Sequence, residues 1–548
     1  MGASVSLLNN CREERVKNAL DLLSNKVFCR TDEIDGTGKT PLIWACKNTM
    51  KSVASQILEY PTKCNIGHID AVGDTALIWS CRNNMKNIAL NIIKYHAECR
   101  LDHIDANGDT PLISACSNVM SSVALHIVKY HDICRIDHVN ASGDTALMIA
   151  CSKKMTSVAL ELLNYPDKCK LDHVNASGDT ALMIACSKKM TSVALELLKY
   201  PDRCRLNQCN KHNNTALILA CRYNLIYIAL ELLKYPEECR LNQVNNINNT
   251  ALILACSNSM TSVALELLKY PDECRLDQVN NNYSDTALSW ACFRGMEDVS
   301  LEILKHHNKC KIDNIDTSGN TALILACNKN MPRVAYAILK YPDKCNLGQV
   351  SENCNTALIW ACVNNMTEIA LKILQYPDNS KIDQVDISGN TALMIACSKN
   401  MKKVALEILK YPDACRLDCV NNNNDTALTL ACSNNMKHVA LNILEYPRRC
   451  RIEHIDSDGN TALILACYKR MDKVTQILLD HSTSKSISNV NKKGDSVMTI
   501  IASNIEHLCE YNNNNNTDTS ENTKKTINEL LYLTEKNIMD FEQELFNT

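Results

Sequence analysis

Across 548 residues, 58 lysines and arginines stand against 61 aspartates and glutamates, for a formal net charge of −3. A chain so balanced, with a pI near 6.5, has no basic field for phosphate backbones, so nucleic acid is not an expected partner. No apolar run is long enough to cross a membrane, and the 30 cysteines cannot be read as the disulfide framework of a short secreted domain.

The N-terminal stretch Met1 to Asn10 lacks the basic start and apolar run of a secretory signal, which predicts a cytoplasmic chain. Met1, Gly2 and Ser6 satisfy the N-myristoylation pattern, with a hydroxyl residue four positions after the glycine. One acyl chain binds membranes only marginally, so Arg12, Arg15 and Lys17, or acylation of Cys11, would have to assist. Glu13 to Cys29, with Val16, Ala19, Leu20, Leu22 and Leu23, reads as a lone amphipathic helix, making residues 1–34 a capping helix.

Residues 35–490 then repeat one sentence thirteen times at intervals of 35 residues, registered on Thr40, Thr75, Thr110 and so on to Thr461. One interval has 36 residues, the extra one falling in the turn Asn280 to Asp285. A period of this length marks a repeat array rather than a compact globule. In the fourth copy, Thr145 can cap a short apolar helix A beginning at Ala146. That helix stops after about two turns, at residues suited to a left-handed cap, such as Asn84, Asn224, Gly295, Asn330, Asn365, Asn400 and Asn435. Met155, Val158, Ala159, Leu162 and Leu163 lie on one face of a second helix B, ended by Tyr165 and Pro166. The fold predicted is an all-α repeat solenoid of stacked helix-turn-helix units.

The pattern Gly108, Asp109, Thr110, Pro111, Leu112, Ile113, Ser114, Ala115, Cys116 resembles the ankyrin repeat, whose motif runs from a glycine-containing turn through Thr-Pro-Leu-His-x-Ala-Ala. Three departures stand out: the unit is two residues longer, the motif histidine is Ile or Met, and the second alanine is cysteine. In the family that histidine ties neighbouring loops, so its loss leaves loop rigidity open. The Asn- and Ile-rich wording further resembles the long ankyrin arrays of giant DNA viruses of amoebae, which would make the compartment a host cytoplasm.

Cysteines follow the repeat. Thirteen lie in helix A from Cys46 to Cys467, and twelve more from Cys29 to Cys450 precede the register residue. Both sites correspond to small buried family positions, where cysteine serves as a small hydrophobe. Cys64, Cys99, Cys134, Cys169 and Cys450 are each followed four residues on by His68, His103, His138, His173 or His454. Zinc needs four ligands around one point, whereas equivalent residues of stacked units are about 8–10 Å apart, so no metal site is expected. Gly38, Lys39 and Thr40 resemble the end of a phosphate loop, but Glu33 stands where its first glycine belongs. The single turn carboxylates Asp109, Asp144 and Asp179 do not converge as a catalytic pair. No cofactor, small-molecule substrate or enzymatic activity is expected.

The ankyrin resemblance implies partner contacts at the turn tips and along helix A. The family's first contact column maps onto Trp44, Trp79, Ser114, Ile149, Ile184, Leu219, Leu254, Trp290, Leu325, Trp360, Ile395, Leu430 and Leu465, an apolar stripe if left bare. The next pair of columns contributes Arg82, Arg222, Tyr223, Phe293, Arg294, Tyr468 and Lys469, which differ between copies. The predicted function is a scaffold or adaptor that binds a partner protein along the concave ankyrin face, or the same scaffold held at a membrane by Gly2. Residues 491–511 read as a degenerate capping unit, and residues 512–548 as an Asn-rich linker with an amphipathic helix through Ile527, Leu530, Leu531, Ile538, Phe541 and Leu545.

Overall fold

The computed structural model describes residues 6–25 and 30–503 of the chain. Its regular elements are helices; the described residues contain no strand, only isolated bridges such as Val139 with Thr145 across a turn. Two compact bodies are present, one ending at Gln278 and the other beginning at Val279.

In repeat 4 the Thr145 hydroxyl accepts from the Met148 N–H at 3.3 Å and opens helix A, Ala146–Ser152. All thirteen register threonines cap their helices in this way. Lys154 then turns left-handed at φ 57°, which lets the Met155 N–H donate to the Ala150 carbonyl at 2.8 Å. That bond satisfies a carbonyl the helix end would otherwise leave open. The left-handed residues expected at Asn84, Asn224, Gly295, Asn330, Asn365, Asn400 and Asn435 are present. Thr49, Val119, Lys154, Lys189, Ser259 and Arg470 adopt the same conformation without the residue type that favours it.

Helix B, Thr156–Leu163, buries Val158, Ala159, Leu162 and Leu163. Within each body every helix A packs on the helix A of its neighbours, and every helix B on the next helix B. A unit therefore buries its apolar face only by stacking, at about 1.5–3 kcal/mol for each large aliphatic side chain enclosed. The helix-A cysteines lie in this layer, and burial pushes the thiols of Cys151, Cys186 and Cys362 up to about 12. They stay protonated at neutral pH and act as packing groups rather than nucleophiles.

The N-terminal segment is a helix pair, not the single capping helix expected within residues 1–34. Leu7–Arg12 precedes Val16–Ser24; the first packs on Pro41–Lys47 and the second on Lys51–Ile57. Ser6 caps the first helix, its hydroxyl accepting from the Asn9 N–H at 3.1 Å. It stands one residue out of the 35-residue register, and six helical residues are too few for periodicity to be visible.

The loops are braced although the motif histidine is absent. His68 donates through Nε2 to the Gly38 carbonyl at 2.8 Å, and His103, His138 and His173 repeat this bond to Gly73, Gly108 and Gly143. Gln208, Asn314, Gln349, Gln384 and Asn489 do the same in their repeats. The spacing of cysteine and histidine that invites zinc is accounted for by this reach to the preceding turn. The fourteenth unit keeps its turn and a helix over residues 497–503, opened by Ser496, whose hydroxyl accepts from the Thr499 N–H at 3.3 Å. Gly2, Cys29, the Asn512–Asn516 linker and the helix expected through Ile527 and Leu545 lie outside the described residues.

Candidate protein-binding face

Turn tips are built from a carboxylate or amide five residues before the register threonine. Asp70 Oδ1 accepts the N–H groups of Val72 at 3.1 Å and Asp74 at 2.8 Å, closing one turn. In other repeats an asparagine at this position also reaches the preceding turn: Asn140 donates to Asp109 at 2.9 Å, Asn175 to Asp144 at 2.8 Å and Asn210 to Asp179 at 2.8 Å. These bonds occupy the recurrent carboxylates that the sequence shows singly. Where both partners are acidic, Arg82 bridges Asp74 and Asp105 at 2.5 Å each. Lys39 forms a buried ion pair with Asp70 at 3.2 Å, which assigns the Gly38, Lys39, Thr40 triplet to the turn. Asp285 stands in the same sequence relation to Asp316, but Phe293 occupies the place of Arg82. Burial and the Asp316 charge raise Asp285 to about 7.

The first contact column is mostly core. Ile149, Ile184, Leu219, Leu254, Leu325 and Ile395 are buried, as is Ser114, so the continuous bare stripe expected from the sequence is not present. Neighbouring turns and helices cover side chains of aliphatic length, whereas an indole outreaches them. Trp44, Trp79, Trp290 and Trp360 are half-buried, as are Leu430 and Leu465. The Trp44 and Trp79 indoles donate to Asp35 at 2.8 Å and to Asp70 at 3.1 Å. Burial works against the charge on Asp35. Hydrogen bonds from the Lys39 N–H, the Thr37 hydroxyl, Trp44 and the Thr37 N–H outweigh it and hold the carboxyl at about 2. Lys47 lies over both Trp44 and Trp79, at 4.7 and 5.4 Å from the ring centroids.

Repeat 8 gathers the densest aromatic group. Trp290 meets Tyr283 and Phe293 edge-on at 6.0 and 5.7 Å, while Arg294 lies over Trp290 and Phe293 at 5.4 and 5.5 Å. Lys329 covers Phe293 from the next repeat at 5.1 Å. Tyr283, in the turn lengthened by one residue, is 53% exposed and Phe293 44%. The enclosed Trp290 Nε1 has no hydrogen-bond partner.

Arg222 and Tyr223 line a groove of about 460 Å³ with Leu219 and the turn residues His212, Asn246 and Ile247. Tyr468 donates from its hydroxyl to Asp495, with Lys469 exposed beside it. A role missed in the sequence falls on asparagines among the variable columns. Asn83 donates to the Cys46 and Lys47 carbonyls at 3.0 and 2.9 Å, and Asn258 and Asn364 repeat this pin. Their recurrence as asparagine, set against Lys, Arg or Tyr elsewhere in the column, was the available signal.

The sequence matches the family described as "Ankyrin repeats (3 copies)" in nine overlapping segments from residues 7–102 to residues 414–492. The chain belongs to the ankyrin repeat family. Ankyrin repeats generally mediate protein–protein interaction, and the fold is typically non-enzymatic. No curated protein matches this ankyrin chain. Among solved structures, one similar chain comes from the predatory endopeptidase Bd0816 of Bdellovibrio bacteriovorus in complex with immunity protein Bd3460. It is 25% identical, with 36% of this chain and 100% of that chain covered and a TM-score of 0.29. The human ASB11 ankyrin repeat domain is 19% identical, with coverages of 42% and 96% and a TM-score of 0.32. Among the described residues of the ankyrin array, no helix is long and apolar enough to cross a membrane.

Proposed function

We propose that this ankyrin chain is a non-enzymatic adaptor that binds a partner protein through helix A and the turn tips. The observation that carries the reading is the repeat-8 group. Tyr283 and Phe293 stand exposed around Trp290, whose indole N–H lacks a partner, with Arg294 and Lys329 over the rings. Tryptophan, tyrosine and arginine are the residues that dominate interface energetics, and an enclosed polar group without a partner calls for an explanation. Affinity capture with the full chain, compared with its Trp290→Ala/Phe293→Ala and Phe293→Ala variants, tests this. Loss of a captured protein at unchanged helicity is the expected result, at a cost of about 2 kcal/mol or more for an interface anchor. Undiminished capture by both variants contradicts it.

Buried, protonated thiols fit a reducing cytoplasm, a host cytoplasm if the viral resemblance of the wording holds. An acyl group on Gly2 would hold the same adaptor at a membrane. The Ser6 hydroxyl of that motif has a structural use as a helix cap, and intact-mass measurement of the expressed protein decides the matter.

A further inference from the structure

The three residues after each helix-A cysteine run KNT, RNN, SNV, SKK, SKK, RYN, SNS, FRG, NKN, VNN, SKN, SNN and YKR. They hold twelve lysines or arginines and no aspartate or glutamate, in a chain whose acids outnumber its bases. The helix dipole favours bases at any helix end, yet helix B carries Glu161, Glu196, Glu231 and Glu266 close to its own end. The dipole alone therefore does not account for the exclusion of acids. In the first body the bases converge in repeats 4 to 6. Lys153, Lys154, Lys188, Lys189 and Arg222 are all exposed, and Lys189 and Arg222 each lie 5.9 Å from the Tyr223 ring centroid. Arg222 and Tyr223 open onto the groove of about 460 Å³. Asp179, the groove's acid, accepts from Asn210 at 2.8 Å.

From this charge complementarity we infer that the repeat 4 to 6 surface docks an acidic segment of a partner protein. Carboxylates would lie along the lysine row, and an apolar or aromatic side chain would enter the groove beside Tyr223. This rests on the adaptor reading and names the chemistry of one of its partners. The near-identical repeats 4 and 5, which look like spacer when read as sequence, then supply the same lysine pair twice. A protein segment is favoured over nucleic acid because the whole chain is acidic and lacks the net positive charge that nucleic-acid binding rests on.

The test uses the full chain and three probes: a fluorescein-labelled peptide of alternating glutamate and leucine, its lysine-for-glutamate counterpart, and a single-stranded oligouridylate. The acidic peptide is expected to bind best, with affinity falling as salt rises. Lys153→Glu/Lys188→Glu/Lys189→Glu should weaken it on the order of tenfold or more, and Tyr223→Ala should weaken it at unchanged salt dependence. These side chains are exposed, so thermal unfolding should not move. Equal binding of both peptides, unchanged binding by the lysine variant, or tighter binding of the oligouridylate overturns the inference. Because the adaptor reading is tested at Trp290 and Phe293 in the other body, it survives if only the peptide experiment fails.

Discussion

Asp285 shows how one residue departs from a rule its equivalents obey. At neighbouring interfaces its position meets an asparagine, or two acids share Arg82; here it meets Asp316. Its pKa is raised from 3.8 to about 7, so its folded form holds a proton more tightly than the unfolded chain. The stability this contributes is complete below pH 3.8 and lost as pH rises through about 7. Asp285→Asn, neutral at every pH, should therefore stabilise the protein more at pH 8 than at pH 5. The gain is on the order of 1 kcal/mol once solvent screening of a turn residue is allowed for. Thermal unfolding of both proteins at the two pH values checks this, and an equal difference at both would contradict it. At this scale the threonine caps and buried cysteines were legible because their letters repeat faithfully. The brace was not, because His68, Gln208 and Asn314 do one job with three different letters and reach a carbonyl thirty residues back.

At the scale of the element, the left-handed residue that ends helix A is the weak joint. Asparagine or glycine holds it in seven repeats, but Val119, a β-branched residue, holds it at φ 58° and is 55% exposed. β-Branched side chains are outliers there, and such strain costs about 1–3 kcal/mol. Val119→Asn installs the array's own solution and should raise stability by about 1 kcal/mol, read by denaturant unfolding; no change would show that the valine is unstrained. Two-turn helices and their limits were readable from the apolar periods and the Tyr-Pro stop. The helix Leu7–Arg12 was not, since it stands outside the register and only its contact with Pro41–Lys47 makes it a partner in the stack.

Across the whole molecule, stability is a sum of repeat and nearest-neighbour terms, which leaves the faithful letters to the stack and the changing ones to the surface. Comparing copies therefore located the variable positions, but it could not tell which of them are structural. Asn83, Asn258 and Asn364 pin the preceding helix, Arg82 neutralises two turns, and most of the first contact column is core. What remains exposed on the helix-A face is the Trp290 group, the Tyr223 groove with its lysines, and Tyr468. Helix B offers a rival surface in Tyr227 and Tyr336, 76% and 50% exposed. Hydroxyl-radical footprinting of the chain with its captured partner separates the two faces directly. Loss of labelling at Tyr283, Phe293, Tyr223 or Tyr468, with Tyr227 and Tyr336 unchanged, is the result predicted. Protection of Tyr227 and Tyr336 with the helix-A face still labelled would contradict it.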